Sequence, residues 1–349
     1  MIVYNILVLR AISSFCLQKQ RKKERKRKMD MALWIALIVL GFILLIKGAD
    51  LLVEGASNVA KKFHIPEIII GLTIVSIGTS LPELFVSIKS AIGGHSDMAI
   101  GNVVGSNIAN LLLILGTSAI IKTVAFKRET RLIEVPLCLA ISIIFIILCN
   151  IGQNVTRMDA AILIVLFILF IIYTIVMSFE GEKFDKEDED EISDDNKYTG
   201  SVIKNILYII GGIILLKFGG DFTVDNAVNV ANFFGLSEKL ISVTILAIGT
   251  SLPELVTSVS AAIKGKSDIA IGNIIGSNIF NMLLIIGVSA LIKPIVYNVS
   301  YNVDMIFVLV ATLVLALFPI IPPKNKMSRG NGIVYVILYI VYLVTLFIK

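Results

Sequence analysis

Residues 71–122 read GLTIVSIGTSLPELFVSIKSAIGGHSDMAIGNVVGSNIANLLLILGTSAIIK, and residues 242–293 read SVTILAIGTSLPELVTSVSAAIKGKSDIAIGNIIGSNIFNMLLIIGVSALIK. The two stretches align without a gap at an offset of 171 residues, and 33 of their 52 positions are identical. The match extends thinly upstream, where Asp50 meets Asp221 and Asn58 meets Asn229. Two units at so long a period are not a solenoid, whose repeats are short and several. The chain is a duplication, one architecture written twice.

What surrounds the repeat is apolar. Of 349 residues 56% are hydrophobic and 16% charged, and the mean hydropathy is +0.91. An ordinary soluble domain carries about 25% charge. Much of the charge present is concentrated in two runs, Lys19–Lys28 and Glu180–Lys197. This composition excludes a soluble enzyme, a nucleic-acid-binding domain and a disordered chain. With two His and three Cys, neither a disulfide scaffold nor a Cys/His metal site is expected.

A bilayer-crossing helix needs about 20 mainly apolar residues. Candidate spans lie near 32–53, 66–93, 98–121, 132–151 and 158–179, then near 201–222, 238–264, 268–292, 303–321 and 331–348. A lipid-facing barrel alternates apolar and polar residues, and Ala161–Ile175 does not. The expectation is an all-α membrane protein with ten transmembrane helices: a first five-helix repeat over 29–179, an acidic loop over 180–200 and a second repeat over 201–349. The loop holds ten acids and three Lys. It lacks the glycine-punctuated spacing of an EF-hand and reads as a solvated linker.

Five spans per half is an odd number, so the second copy crosses in the opposite sense. Inverted repeats with sites at their interface characterise secondary transporters. If the core begins outside, the cytoplasmic loops hold eleven Lys and Arg, among them Lys61, Lys122, Arg131 and Lys266, against four outside. That bias places both core termini outside and the acidic loop inside. The basic run Lys19–Lys28 would then lie on the wrong face. Residues 1–28, followed by Met29 and Met31, read as a dispensable extension; the rival reading is an amphipathic membrane-surface segment.

Two motifs carry chemistry in each copy: GTSLPE at Gly78–Glu83 and Gly249–Glu254, and G-N-x-x-G-S-N-I-x-N at Gly101–Asn110 and Gly272–Asn281. Pro82 has no N–H and its ring clashes with the carbonyl of Gly78. The helix breaks there, and carbonyls around Ser76–Thr79 lose partners, which lipid tolerates only where protein or a water-filled cavity takes them up. Ser80 and Glu83 share that face, and Ser87 extends it; Pro253, Ser251, Glu254 and Ser258 repeat the pattern. Ser106 and Asn110 are four apart, as are Ser277 and Asn281. Gly101 with Gly105, and Gly272 with Gly276, form small-residue ridges that allow close packing and bring this polar face against the broken helix. The result is a set of oxygens with two carboxylates, which suits calcium, magnesium or sodium and argues against zinc and copper. A mid-membrane carboxylate is costly and marks function, whereas Ser87 and Asn107 alone read as structural hydrogen-bonding residues. Lys47, Lys89 and Lys217 read as snorkelling side chains, Asp50 and Asp221 as structural, and Cys138 and Cys149 as inert thiols.

At these residues the sequence resembles the sodium/calcium exchangers of the calcium/cation antiporter superfamily, over about residues 31–349. The resemblance implies a secondary transporter, not an enzyme, with no cofactor. It implies that the second, third, seventh and eighth of ten helices surround the ions, while the long first and sixth slide across them. It further implies a calcium site at Glu83 and Glu254 with the carbonyls of Thr79 and Thr250. Sodium sites would use Ser80, Ser106, Ser251 and Ser277 with the carbonyls of Ser76 and Ala247, and Asn110 and Asn281 would close the ring. Potassium-dependent relatives usually carry Asp at the place of Asn281, and proton-coupled relatives vary GTSLPE, so both features favour sodium. The implied partners are calcium and sodium ions and the lipid bilayer of the cell membrane, with no nucleic acid, and the protein is expected to work as a monomer. A calcium or magnesium/proton antiporter and a cation channel are the rival readings. A channel usually needs a continuous pore assembled around an axis.

Overall fold

The computed structural model of the chain describes residues 2–184, 201–235, 247–318 and 325–348. The described residues are overwhelmingly helical. Helix α1 runs Ile2–Phe63. Then follow α2 (Glu67–Thr79), α3 (Leu81–Gly93), α4 (Ser96–Ile121), α5 (Thr130–Asn150) and α6 (Arg157–Phe184). After the acidic loop come α7 (Val202–Phe233), α8 (Ala247–Thr250), α9 (Leu252–Ile263), α10 (Ser267–Ile292), α11 (Tyr301–Leu317) and α12 (Arg329–Ile348). The extension expected at 1–28 is helical from Ile2 and continues into α1 without interruption. Most of the acidic loop, residues 185–200, lies outside the described residues, as do residues 238–246 of the expected span 238–264.

Seven of these helices are long and apolar enough to cross a membrane, and α2 with α3 forms an eighth, bent by 50°. Their outward faces are apolar: Leu33, Val39, Ile172, Ile214 and Ile337 are all exposed. A helix wet on that side would not carry them, so these faces are the lipid surface. Helices α4 and α10 differ. They are 72% and 83% buried along their apolar windows, and they form the centre around which the others stand.

Two features of the frame are set by glycine. Helices α1 and α7 lie antiparallel and touch backbone to backbone. A Cβ at Gly41 would meet the Gly219 carbonyl oxygen at 2.8 Å, one at Gly48 that of Gly212 at 2.9 Å, and one at Gly55 that of Asn205 at 2.7 Å. Gly94 and Gly265, equivalent in the repeat, end α3 and α9 in the left-handed region at φ +79° and +78°. There the N–H groups of His95 and Lys266 reach back to the carbonyls of Ser90 and Ala261 at 2.8 Å each, the Schellman closure that glycine permits.

Short strands, which the apolar pattern gave no sign of, tie the loops of the two halves together. β1 (Val124–Ala125) pairs antiparallel with β4 (Lys326–Met327), and β2 (Asn154–Val155) with β3 (Ile295–Val296). Among the described residues, four stretches adopt π-helical turns: Gly71–Val75 in α2, Ala109–Ile114 in α4, Thr130–Glu134 in α5 and Asn281–Ile285 in α10.

Candidate ion-binding site

The proline break is where it was expected. Helix α2 stops at Thr79, Ser80 sits at φ −86°, ψ 9°, and α3 restarts at Leu81 with Pro82 in its first turn. Ser251, between α8 and α9, has nearly the same conformation, φ −88°, ψ 8°. Across the first break the ladder continues through Ser80 N–H to Ser76 O at 3.0 Å and Leu84 N–H to Ser80 O at 3.2 Å. Breaking the helix creates a fresh N-terminus, and the first turn of each new helix carries its glutamate, Glu83 or Glu254. An anionic group is stabilised at that end of a helix.

The halves then interlock through those residues. Ser80 donates to Glu254 Oε1 at 2.9 Å and lies 3.0 Å from the Ser277 hydroxyl. Reciprocally, Ser251 donates to Glu83 Oε1 at 3.5 Å and meets the Ser106 hydroxyl at 3.2 Å. Thr250 lies beside the Glu83 carboxylate and Thr79 beside that of Glu254. Asn110 Nδ2 donates to Asn278 Oδ1 at 3.0 Å, and Asn281 Nδ2 to Asn107 Oδ1 at 2.9 Å. Every one of these contacts joins one repeat to the other. Glu83, Glu254, Asn110 and Asn281 are each only 1% exposed.

One oxygen on each of those four side chains accepts no hydrogen bond: Oε2 of Glu83 and Glu254, and Oδ1 of Asn110 and Asn281. Leaving a buried polar atom unpaired costs about 1–3 kcal/mol, more when charged. Here the unpaired atoms form a matched set, with each repeat contributing the same two. Among the described residues no three His, Cys, Asp or Glu side chains converge, so the site's formal charge comes from the two carboxylates.

The remaining sequence candidates divide. Ser76 lies in the same region, but its carbonyl is already engaged by Ser80 N–H and by Thr79 Oγ1 at 3.3 Å, while its hydroxyl donates to Leu72 O at 2.7 Å. The loss of partners expected across Ser76–Thr79 therefore does not reach Ser76. Ala247 opens α8. Gly272 and Gly276 do press on the broken α2: a Cβ at either would meet the carbonyl oxygens of Ile68 and Leu72, respectively, at 2.6 Å. Gly101 instead backs onto Tyr301 of α11, whose hydroxyl a Cβ there would meet at 3.1 Å. Lys217 and Asp221 pair with each other at 2.9 Å, and Asp50 pairs with Lys264 at 2.8 Å.

Two sets of residues were underweighted in the sequence. Asn102 Nδ2 donates to Ser87 Oγ at 2.9 Å and to Glu83 O at 3.2 Å, while Asn273 donates from Nδ2 to Ser258 Oγ at 2.9 Å and accepts the Thr79 hydroxyl at its Oδ1 at 3.1 Å. These asparagines hold the glutamate-bearing helices in place, and their exact repetition at the 171-residue offset was the available signal. The second set is the pair of π-turns beginning at or beside Asn110 and Asn281. Such turns redirect side chains and gather at functional sites.

The family model described as sodium/calcium exchanger protein matches residues 33–176 and 204–348, one match per repeat. The inner membrane protein YrbG of Escherichia coli is 35% identical over 323 residues, spanning 91% of this chain and 98% of its own. The sodium/calcium exchanger MaX1 of Methanosarcina acetivorans is 32% identical over 343 residues, spanning 89% and 97%. A solved structure of the sodium-calcium exchanger NCX_Mj, soaked with sodium and strontium, superposes with a TM-score of 0.77 at 30% identity, covering 90% of this chain and 99% of that one. Duplicated motifs, interlocked repeats and end-to-end similarity agree: this chain is a multi-pass membrane protein of the sodium/calcium exchanger family.

Proposed function

We propose that the protein exchanges sodium for calcium by alternating access, with the ions held between Glu83 and Glu254. The observation that carries this reading is the matched set of unpaired oxygens on Glu83, Glu254, Asn110 and Asn281. Two buried carboxylates facing one another repel and are poorly solvated, and a divalent cation offsets both costs with a charge equal to theirs. The carbonyls of Thr79 and Thr250 add neutral oxygens. Ser80 with Ser277, and Ser251 with Ser106, line the flanks and provide the weaker, hydroxyl-rich surroundings that sodium accepts. Ser76 and Ala247 border those flanks. Both carboxylates are within reach of either arrangement but cannot neutralise a calcium and several sodium ions together. Occupancy by one ion excludes the other, as antiport requires.

Counting α2–α3 and α8–α9 each as one broken span gives ten, five per half, the second half inverted. The distribution of Lys and Arg then puts both core termini outside and residues 180–200 in the cytoplasm. The deciding experiment is uptake of radioactive calcium into sodium-loaded proteoliposomes, varying sodium, potassium and proton gradients in turn. Uptake that follows the sodium gradient alone is expected. Uptake driven by a proton gradient without sodium points to a calcium/proton antiporter, and uptake needing no opposing gradient to a channel.

A further inference from the structure

Besides the pair at the centre, another buried carboxylate has no part in that site. Glu134, at the end of the π-turn that opens α5, is 1% exposed. Both of its carboxylate oxygens lack a hydrogen-bond partner. Two hydroxyls face it, Thr130 from its own π-turn and Tyr173 from α6. Both hydroxyls interact with the carboxylate, but neither reaches it in good hydrogen-bond geometry, and each is a buried oxygen with no well-formed hydrogen bond. The charges pressing most strongly on the group are those of Glu129 and Asp268, both negative. Lys127 is 3.1 Å from Asp268, with which it pairs.

The second half shows what a merely structural version of this arrangement looks like. The repeats keep the 171-residue offset through β1 and β3, where Val124 matches Ile295. Beyond the π-turn the offset is 170. Ser142, whose hydroxyl donates to Cys138 O, then matches Thr312, whose hydroxyl donates to Val308 O, both at 2.8 Å. Glu134 therefore corresponds to Asp304, one methylene shorter; each has a tyrosine against it, Tyr173 and Tyr342, but Asp304 is partnered while both oxygens of Glu134 lack a well-formed hydrogen bond. In the first half the longer acid and the extra residue of the π-turn leave four oxygens turned toward one another without a well-formed hydrogen bond among them.

We propose that Glu134, Thr130 and Tyr173 form a binding site for a single monovalent cation, sodium, separate from the central site and close to the Lys122–Arg131 end of the molecule. One carboxylate matches one positive charge, oxygen-only ligands suit a hard ion, and the negative groups nearby deepen the potential that attracts it. The signature is the one seen at the centre, buried oxygens unpaired as a group, here with half the formal charge.

The test is equilibrium binding of radioactive sodium to the purified full-length chain in saturating calcium, with calcium binding measured on the same samples. Calcium keeps sodium off the central site, so the wild type should retain a single sodium per chain and E134Q none, with calcium binding unchanged. Y173F and T130V keep the charge and each remove one oxygen. Both should weaken the retained sodium several-fold, which keeps the proposal testable if E134Q does not fold. Equal sodium retention by the wild type and E134Q, or retention that Y173F and T130V leave unaltered, overturns it. If calcium fails to exclude sodium from the central site, the wild type binds more than one sodium but still one more than E134Q, so the two readings fail separately.

Discussion

Glu83 and Glu254 occupy equivalent places, and each receives its hydroxyl hydrogen bond from the opposite repeat. Neither has a substitute. Replacing either by Gln removes half the charge opposing a divalent ion, so calcium uptake should fall to background while the protein still accumulates in the membrane. Near-normal uptake by either variant would place the site elsewhere. The serines should behave differently. Ser80→Ala or Ser277→Ala removes a neutral hydrogen-bonding group worth about 0.5–1.5 kcal/mol. Sodium should then displace calcium a few-fold less effectively while calcium affinity changes little. A titration of bound calcium with sodium measures both effects, and equal weakening of the two ions would contradict the assignment. The two glutamates could be recognised from sequence because a carboxylate following a proline within an apolar run has no inexpensive structural explanation. Asn102 and Asn273 were marked only by their repetition, because an asparagine in a membrane helix ordinarily serves as a packing hydrogen bonder. The pairing of Ser80 with the more distant glutamate depends on how the halves dock, which spacing within one half does not encode.

Among the elements, the broken helices were legible because proline imposes a local and obligatory consequence. The π-turns were not. A π-turn leaves the hydrophobic pattern intact and adds one residue, visible only when two copies are compared beyond the gapless match. Thr130–Glu134 shows this, since the repeat offset slips by one residue across it. If the extra residue is absorbed there, deleting Arg131 should convert the turn to ordinary α-helix with α5 still seated, and the thermal midpoint in detergent should shift by only a few degrees. Deleting Ile144 from the regular part of the same helix rotates every later residue by about 100° and should abolish folding. Equal damage from the two deletions would mean that the turn is not the point of insertion.

For the molecule as a whole, apolar density pointed to the helical membrane class before any contact was known, and the duplication pointed to a site between the two halves. The small strands that pair loops of opposite halves were invisible, because two-residue ladders leave no periodic trace. The basic stretch preceding Met29 belongs to the same scale. It continues α1 as helix, yet the loops of the core already carry a Lys and Arg bias of the kind that orients membrane proteins. A chain starting at Met29 should therefore insert and exchange calcium at the wild-type rate in proteoliposomes, and loss of exchange would assign the stretch a necessary role.

The glycine seam between α1 and α7 has a mechanical consequence. Carbonyls and glycines meet at three successive places two turns apart, so shifting one helix along the other by a single turn would drive side chains such as Leu45 or Leu216 into backbone. The pair is keyed like two racks with meshed teeth, and it travels as one bar or not at all. A bar of fixed length that uncovers one entrance to the site covers the other by the same stroke, so the seam would guard against a leak with both entrances open. Ser260 of α9 donates to Asp50 Oδ1 of α1 at 2.9 Å, so a bridge between cysteines at these two positions would fasten the bar to its bed. Oxidising a D50C/S260C variant should stop exchange, and reducing it should restore exchange. Continued exchange with the bridge intact would show that the bar does not need to move.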